Sequence, residues 1–180
     1  MPRRQILLDA CVVINLAAVN SLEEIANALH ATFLVIRQAA TEVGHLRDLL
    51  DGELVLTPID LGQFSLGEAF EVLELSSSEF ALYLELAAIV DDGEAATIAV
   101  ATQRGLEIAT DDRKARRLCA EQHLAEPIRT LTLLREYAEA ARLSAGQIGE
   151  LIAKVRDRAS SQPPRADPDL KWWNDHIRDA

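Results

Sequence analysis

Gln5-Ile6-Leu7-Leu8-Asp9-Ala10-Cys11-Val12-Val13-Ile14-Asn15-Leu16 is the stretch that decides the architecture. Gln5 to Leu8 reads as a short strand buried on both faces, as in a parallel sheet. Asp9 ends that run, and Val12 to Val19 is apolar nearly throughout and helical in pattern. Working outward, Ser21 with Glu23 and Glu24 predicts a capped helix reaching about His30. Thr32 to Ile36 is β-branched and aromatic, hence a second strand. Gln38 to Leu50 has helical spacing through Val43, Leu46, Leu49 and Leu50, ending near Asp51-Gly52. In residues 53–77, Leu54-Val55-Leu56 and Phe70 to Leu75 each suit a strand, with Gly62 and Gly67 as breakers between them.

The second half continues the alternation. Ser76-Ser77-Ser78-Glu79 resembles a capping signal for a helix to Val90. Asp91-Asp92-Gly93 reads as a turn, and Glu94 to Gln103 as a helix stopped at Gly105. Leu106 to Ala109 is a strand, Asp112 to Gln122 a helix, and Pro127 to Thr130 a last short strand. Helices follow over 131–142 and 144–159, the second capped by Ser144. Ser160 to Pro168 is polar and carries three prolines, an extended linker before the pair Trp172-Trp173. Alternating strands and helices predict an α/β fold with a central, mainly parallel sheet flanked by helices.

The 180 residues suit one domain with an appendage. No apolar run approaches the roughly 18–20 residues that span a bilayer, so no membrane association is expected. Cys11 and Cys119 lie far apart in apolar surroundings and read as reduced thiols of a cytoplasmic protein. A net charge of −11 argues against a simple nucleic-acid-binding module. The charge is uneven. Residues 1–126 hold 9 Lys and Arg against 21 Asp and Glu, net −12, whereas residues 127–180 are near neutral.

Four acidic signals stand out within that acidic body. Asp9 and the pair Asp111-Asp112 each follow an expected strand, where ligands collect in open α/β sheets. Glu42 lies on the helix after the second strand, and Glu94 opens a later one. Singly, each has an ordinary structural reading: a strand end, a helix cap, a dipole-favoured acid or a solvated helix face. Gathered at one rim, they would repel each other unless a cation stood between them. All-oxygen ligands suit Mg²⁺ or Mn²⁺. The pattern points to hydrolysis of a phosphodiester.

These residues resemble the PIN-domain family. Leu7 to Leu16 resembles its opening strand and helix, Thr41-Glu42-Val43 its second acidic motif, Gly93-Glu94-Ala95-Ala96-Thr97-Ile98-Ala99 its third, and Thr110-Asp111-Asp112-Arg113-Lys114-Ala115-Arg116 its fourth. The order holds over about residues 5–120. The resemblance implies a PIN-like three-layer sandwich over residues 1–159, followed by the Pro-containing linker and Trp-bearing tail of 160–180. It further implies a Mg²⁺- or Mn²⁺-dependent ribonuclease site with Asp9, Glu42, Glu94 and Asp111 as metal ligands and Asp112 as a fifth ligand or supporting acid. Many prokaryotic members are toxins of the VapC kind, often homodimeric and held inactive by a small antitoxin protein. Two positions depart from the common pattern: Cys11 stands where many relatives carry Ser, Thr or Asn, and Glu94 where the commonest toxins have Asp.

For the RNA substrate, Arg113, Lys114 and Arg116 are candidate phosphate contacts beside the acidic pair, with a solvated helix face as the equal alternative. Asn15 is a candidate amide in place of the one missing at Cys11. His45 fits a surface role better than a ligand role, because hard cations prefer oxygen. The tryptophans are expected to dock on this chain, a second copy or a partner. Two rival functions remain: a PIN-like RNA- or protein-binding scaffold without catalysis, and a phosphoacceptor domain. The latter draws its acidic pair from the first strand and needs a lysine near the last, neither of which is evident.

Overall fold

A computed structural model describes residues 2–64 and 68–177. The opening segment forms β1 (Arg4–Leu8) and α1 (Ala10–Ala18), with Asp9 between them as N-cap. There follow α2 (Leu22–Ala28), β2 (Ala31–Ile36), α3 (Arg37–Glu42) and an antiparallel hairpin, β3 (His45–Leu50) and β4 (Glu53–Pro58). A 3₁₀ turn (Leu61–Phe64) leads toward β5 (Phe70–Leu73); Gly67, expected as a breaker here, lies outside the described residues. Then come α4 (Phe80–Ala87), α5 (Asp92–Arg104), β6 (Glu107–Ala109), α6 (Arg113–Glu121), α7 (Thr130–Ala140), α8 (Ala145–Arg158) and α9 (Leu170–His176).

The main sheet has four parallel strands in the order β5-β2-β1-β6. Ile6, Leu7 and Leu8 of β1 and Phe33, Val35 and Ile36 of β2 are fully buried. That continuous burial is what helices on both faces of a parallel sheet require. The chain leaves β1 toward β2 and β5 on one side, and returns to place β6 on the other. The carboxyl ends of β1 and β6 therefore flank the topological switch point of the sheet. The strand expected at 127–130 contracts to a single parallel bridge, Ala109 to Ile128.

Helix α5 is buried along Ala95, Ala96, Thr97, Ile98, Ala99, Val100 and Ala101. Its run of alanines lets α3, α4 and the sheet approach closely from different sides. Gly105 ends it in the left-handed conformation at φ +66°, the ordinary role of a glycine at a helix end. Ser144 caps α8 through a full capping box with Gln147.

Three expectations need correction. The helix expected over 38–50 stops at Glu42, and residues 45–50 are strand β3. The cause is the Asp51-Gly52 pair: both have positive φ, 52° and 83°, which makes a two-residue hairpin turn whose twist matches its flanking strands. Asp91-Asp92-Gly93 is the opening of α5 rather than a separate turn, with Asp91 as N-cap. The helix expected from Ser76 to Val90 is only Phe80–Ala87, since three-residue turns, Glu79 N–H to the Ser76 carbonyl at 3.1 Å and Ile89 N–H to the Leu86 carbonyl at 2.8 Å, flank it at either end.

Segment 161–177 lies against the body. Trp173 of α9 is 6% exposed and joins the main core, with Trp172 half-buried beside it. The tryptophans thus dock on their own chain. Arg135 holds Asp169 at 2.8 Å, and Thr132 donates to the same carboxylate, which fastens α9 to α7. The apolar faces of α1 and α7 are core. No described helix is long and apolar enough to cross a membrane.

Candidate metal centre

Asp9 is fixed by three donors. Its Oδ1 accepts the Ala10 N–H at 2.7 Å; its Oδ2 accepts the Thr110 hydroxyl at 2.7 Å and the Cys11 thiol at 3.3 Å. Thr110 ends the segment after β6, so its hydroxyl ties the two strand ends across the switch point. The same hydroxyl accepts the Asp112 N–H at 3.1 Å. Burial raises the Asp9 carboxyl above its usual range despite these hydrogen bonds, and the charge of Asp112 adds to the rise.

Glu42 is the last residue of α3. Its Oε1 accepts the Gly93 N–H at 2.7 Å, which carries it to the start of α5. A Cβ at position 93 would stand only 2.5 Å from Glu42 Oε2, so only glycine lets this carboxylate lie so close to the helix opening. Partial burial pushes the Glu42 carboxyl upward, and repulsion from Asp9, Asp91 and Asp92 reinforces it.

Glu94, one residue on, is pushed up to about 7. Burial is the largest cause, followed by the charges of Asp112, Asp9 and Asp91. Glu94 and Asp9 thus sense the charge of Asp112, and Glu94 and Glu42 that of Asp9, although four separate elements supply these acids. No described arginine or lysine forms an ion pair with any of the four.

The two adjacent acids after β6 do different work. Asp111 Oδ1 accepts the Thr130 N–H at 2.9 Å, and Oδ2 accepts the Thr130 hydroxyl at 2.6 Å and Asn15 Nδ2 at 3.2 Å. Both oxygens therefore secure the start of α7. Asp112 is exposed and caps α6 through one oxygen, Oδ1, which accepts the N–H groups of Lys114 and Ala115. Asn15, a candidate substrate contact, is 5% exposed and gives its amide to Asp111 and Thr130.

The basic cluster divides likewise. Arg116 donates to the Thr110 and Pro127 carbonyls at 3.1 and 2.7 Å and pairs with Glu126, so it braces the loop behind the site. Lys114 is exposed but donates to the Ile89 carbonyl, and Arg113 is exposed. His45 sits exposed on β3. Both cysteines are free; burial, then the Asp9 charge, pushes the Cys11 thiol far up, and burial raises Cys119 to about 11.

Gly93 and Thr110, which stand inside the quoted motifs, and Thr130, which stands outside them, hold the acids rather than supply them. Asp91 and Asp92 were read only as a turn, yet both add charge at the site; the run Asp91-Asp92-Gly93-Glu94 was the available signal.

Three carboxylates whose proton affinities rise by burial and by repulsion from neighbouring acids, Asp9, Glu42 and Glu94, together with the exposed Asp112, make a donor set suited in chemistry to a hard divalent cation. Among the described residues, no three acidic, histidine or cysteine side chains are drawn together closely enough to hold an ion in their present rotamers.

A protein-family profile described as a PIN domain matches residues 5–160. No curated protein and no solved structure matches the chain.

Proposed function

Since the chain belongs to the PIN-domain family, a family of nuclease-type domains, we propose that it is a divalent-cation-dependent endoribonuclease that hydrolyses RNA phosphodiester bonds. The observation that carries the reading is the elevated carboxyl of Glu94, raised by burial and then by Asp112 and Asp9 with no cationic partner. Asp9, Glu42, Glu94 and Asp112 would hold Mg²⁺ or Mn²⁺. Asp111, first expected as a ligand, is here assigned to positioning α7. When bound, the ion supplies a Lewis acid and lowers the pKa of a water.

The chain's own residues prepare that site. Thr110 and the Ala10 N–H fix the Asp9 carboxylate, and the Gly93 N–H aims Glu42 at the α5 start. Arg113, exposed beside Asp112, is the phosphate contact, and Lys114 becomes a second on leaving the Ile89 carbonyl. The catalytic domain is assigned to residues 1–159 and the appendage to 160–180, of which the described part, 160–177, braces it.

In the same reading the protein is the cytoplasmic toxin of a toxin–antitoxin pair, a homodimer restrained by a small antitoxin. Its production alone should arrest growth, and a co-produced small partner should relieve the arrest.

The direct test is cleavage of single-stranded RNA with Mn²⁺ or Mg²⁺, with EDTA, and with Asp9→Asn. Cleavage should need the metal and fall at least ~100-fold in the variant, while thermal unfolding stays cooperative. Full activity in EDTA or in Asp9→Asn would refute the proposal. A second reading, a PIN scaffold without catalysis, draws on the Cys11 thiol occupying Asp9 Oδ2. Absence of any Mn²⁺ binding heat would favour it.

A further inference from the structure

Helix α5 holds a buried hydroxyl that the fold leaves idle. Among the described residues, three buried side-chain polar atoms have no hydrogen-bond partner: Thr97 Oγ1, Gln38 Oε1 and Arg135 Nε. Buried polar groups are nearly always paired, so each exception calls for a reason. Thr97 is 2% exposed. A helical threonine commonly returns its hydroxyl to the carbonyl one turn back. Thr102, on the same helix, does so, donating to the Ile98 carbonyl at 2.8 Å. Thr97 does not.

The position of Thr97 on α5 supplies the reason. It stands one turn beyond Gly93, so positions 93 and 97 are neighbours on one face, with Cβ sites about 5–6 Å apart. Side chains of a helix lean toward its N-terminus, which tilts Thr97 toward Gly93. The Glu42 carboxylate fills the space that a Cβ on Gly93 would need, its Oε2 lying 2.5 Å from that point. Its Oε1 accepts the Gly93 N–H, and Oε2 has no donor among the described residues. The carboxylate and the idle hydroxyl thus border one notch, cleared by the missing side chain of Gly93.

We propose that Thr97 is a positioning residue for Glu42: its hydroxyl donates to the Glu42 carboxylate when a cation draws the acids together. The Gly93 N–H and the Thr97 hydroxyl then form a two-donor seat. One donor fixes an oxygen; two fix the plane of the carboxylate. Each oxygen keeps a further lone pair for the ion. Gln38 is the rival acceptor, since it lies one turn before Glu42 on α3 and its amide oxygen is also buried and idle. The carboxylate is the stronger acceptor, and the Gly93 N–H already holds it at the notch. This inference rests on the reading of the acids as a cation site.

The test is Mn²⁺ calorimetry of the full chain, with thermal unfolding in EDTA. Thr97→Val should bind Mn²⁺ ~10-fold more weakly, the scale of one hydrogen bond to a charged group. Thr97→Ser, which keeps the hydroxyl, should bind like the wild type. In EDTA, Thr97→Val should unfold at no lower temperature than the wild type, because a methyl replaces a hydroxyl without a partner. In a Glu42→Gln background, Thr97→Val should change the Mn²⁺ affinity little, since the occupant of the seat has lost its charge. Equal Mn²⁺ affinity of wild type and Thr97→Val would overturn the proposal. So would an undiminished loss in the Glu42→Gln background, as expected for a Gln38 partner, or earlier unfolding of Thr97→Val in EDTA. Wild type that bound no Mn²⁺ would overturn the cation reading itself, and this seat with it.

Discussion

Glu79 and Glu94 are both shielded from water, yet their environments drive them in opposite directions. Glu79, its side chain 3% exposed, meets Arg104 Nε at 2.6 Å, and this hydrogen-bonded pairing holds its carboxyl down at about 2. Glu94, mostly through burial and then through neighbouring acids, is pushed up to about 7. Both belong to the same part of the chain, since Arg104 closes the helix that Glu94 helps open. The fold thus treats one end of α5 as an anchor, with its charge compensated, and leaves the other end electrically unfinished. A compensated acid stabilises the protein by itself; an uncompensated cluster costs stability until something positive arrives.

The comparison can be broken most sharply at the strand β6 exit, where the two roles fall on adjacent residues. Asp112→Asn should lower RNA cleavage ~100-fold with little change in unfolding, because asparagine still caps α6. Asp111→Asn should instead lose about 1–2 kcal/mol, read by urea denaturation, by disturbing the Thr130 and Asn15 bonds. Equal effects on activity and stability at both positions would erase the distinction.

At the anchored end, Glu79→Ala should cost ~2 kcal/mol by the same measurement, since a buried ion pair loses one partner while Arg104 retains access to water. The pH dependence has a definite sign. Glu79 is depressed in the fold, so its contribution is complete above its ordinary value of 4.5 and disappears as pH falls toward about 2. Wild type should therefore show an acid-dependent loss of stability in that window that Glu79→Ala lacks.

Gly93→Ala tests the bridge between the two ends. The added methyl displaces the exposed Glu42 carboxylate, which can swing aside, so much of the cation affinity should be lost with less than about 1 kcal/mol change in stability, measured by Mn²⁺ calorimetry and denaturation. The smallest effect is expected at Glu94 itself. A carboxyl raised in the fold weakens stability as pH climbs from 4.5 toward about 7. Without metal at pH 8, Glu94→Gln should gain ~1 kcal/mol after allowance for solvent screening. A loss instead would mean that the acids already compensate one another.

The sequence announced the parallel sheet because β1 and β2 are apolar without alternation, a pattern that suits burial on both faces. It also offered Asp9, Glu42, Glu94 and the pair Asp111-Asp112 as candidates, since strand ends and helix starts are visible as composition changes. It did not separate Asp111 from Asp112: the choice depends on Thr130, nineteen residues further on, whose backbone and hydroxyl claim one carboxylate. The hairpin was misread because Val43, Leu46, Leu49 and Leu50 satisfy a helical period by coincidence, while the Asp51-Gly52 turn signal is only two residues long. Arg116 looked like part of a basic surface. Its partners are mainly backbone carbonyls, which no sequence pattern displays.

Arg158 gives the hairpin a mechanical consequence. One guanidinium grips Asp48 on β3, the Ala18 carbonyl at the far end of α1, and the Asn20 amide oxygen. The hairpin is thereby tethered to the helix whose opposite end is Asp9. With Leu46 buried and Arg47 bonded to Ser160 beside it, this grip makes the hairpin one body with the helix that leads to the acids at the sheet rim.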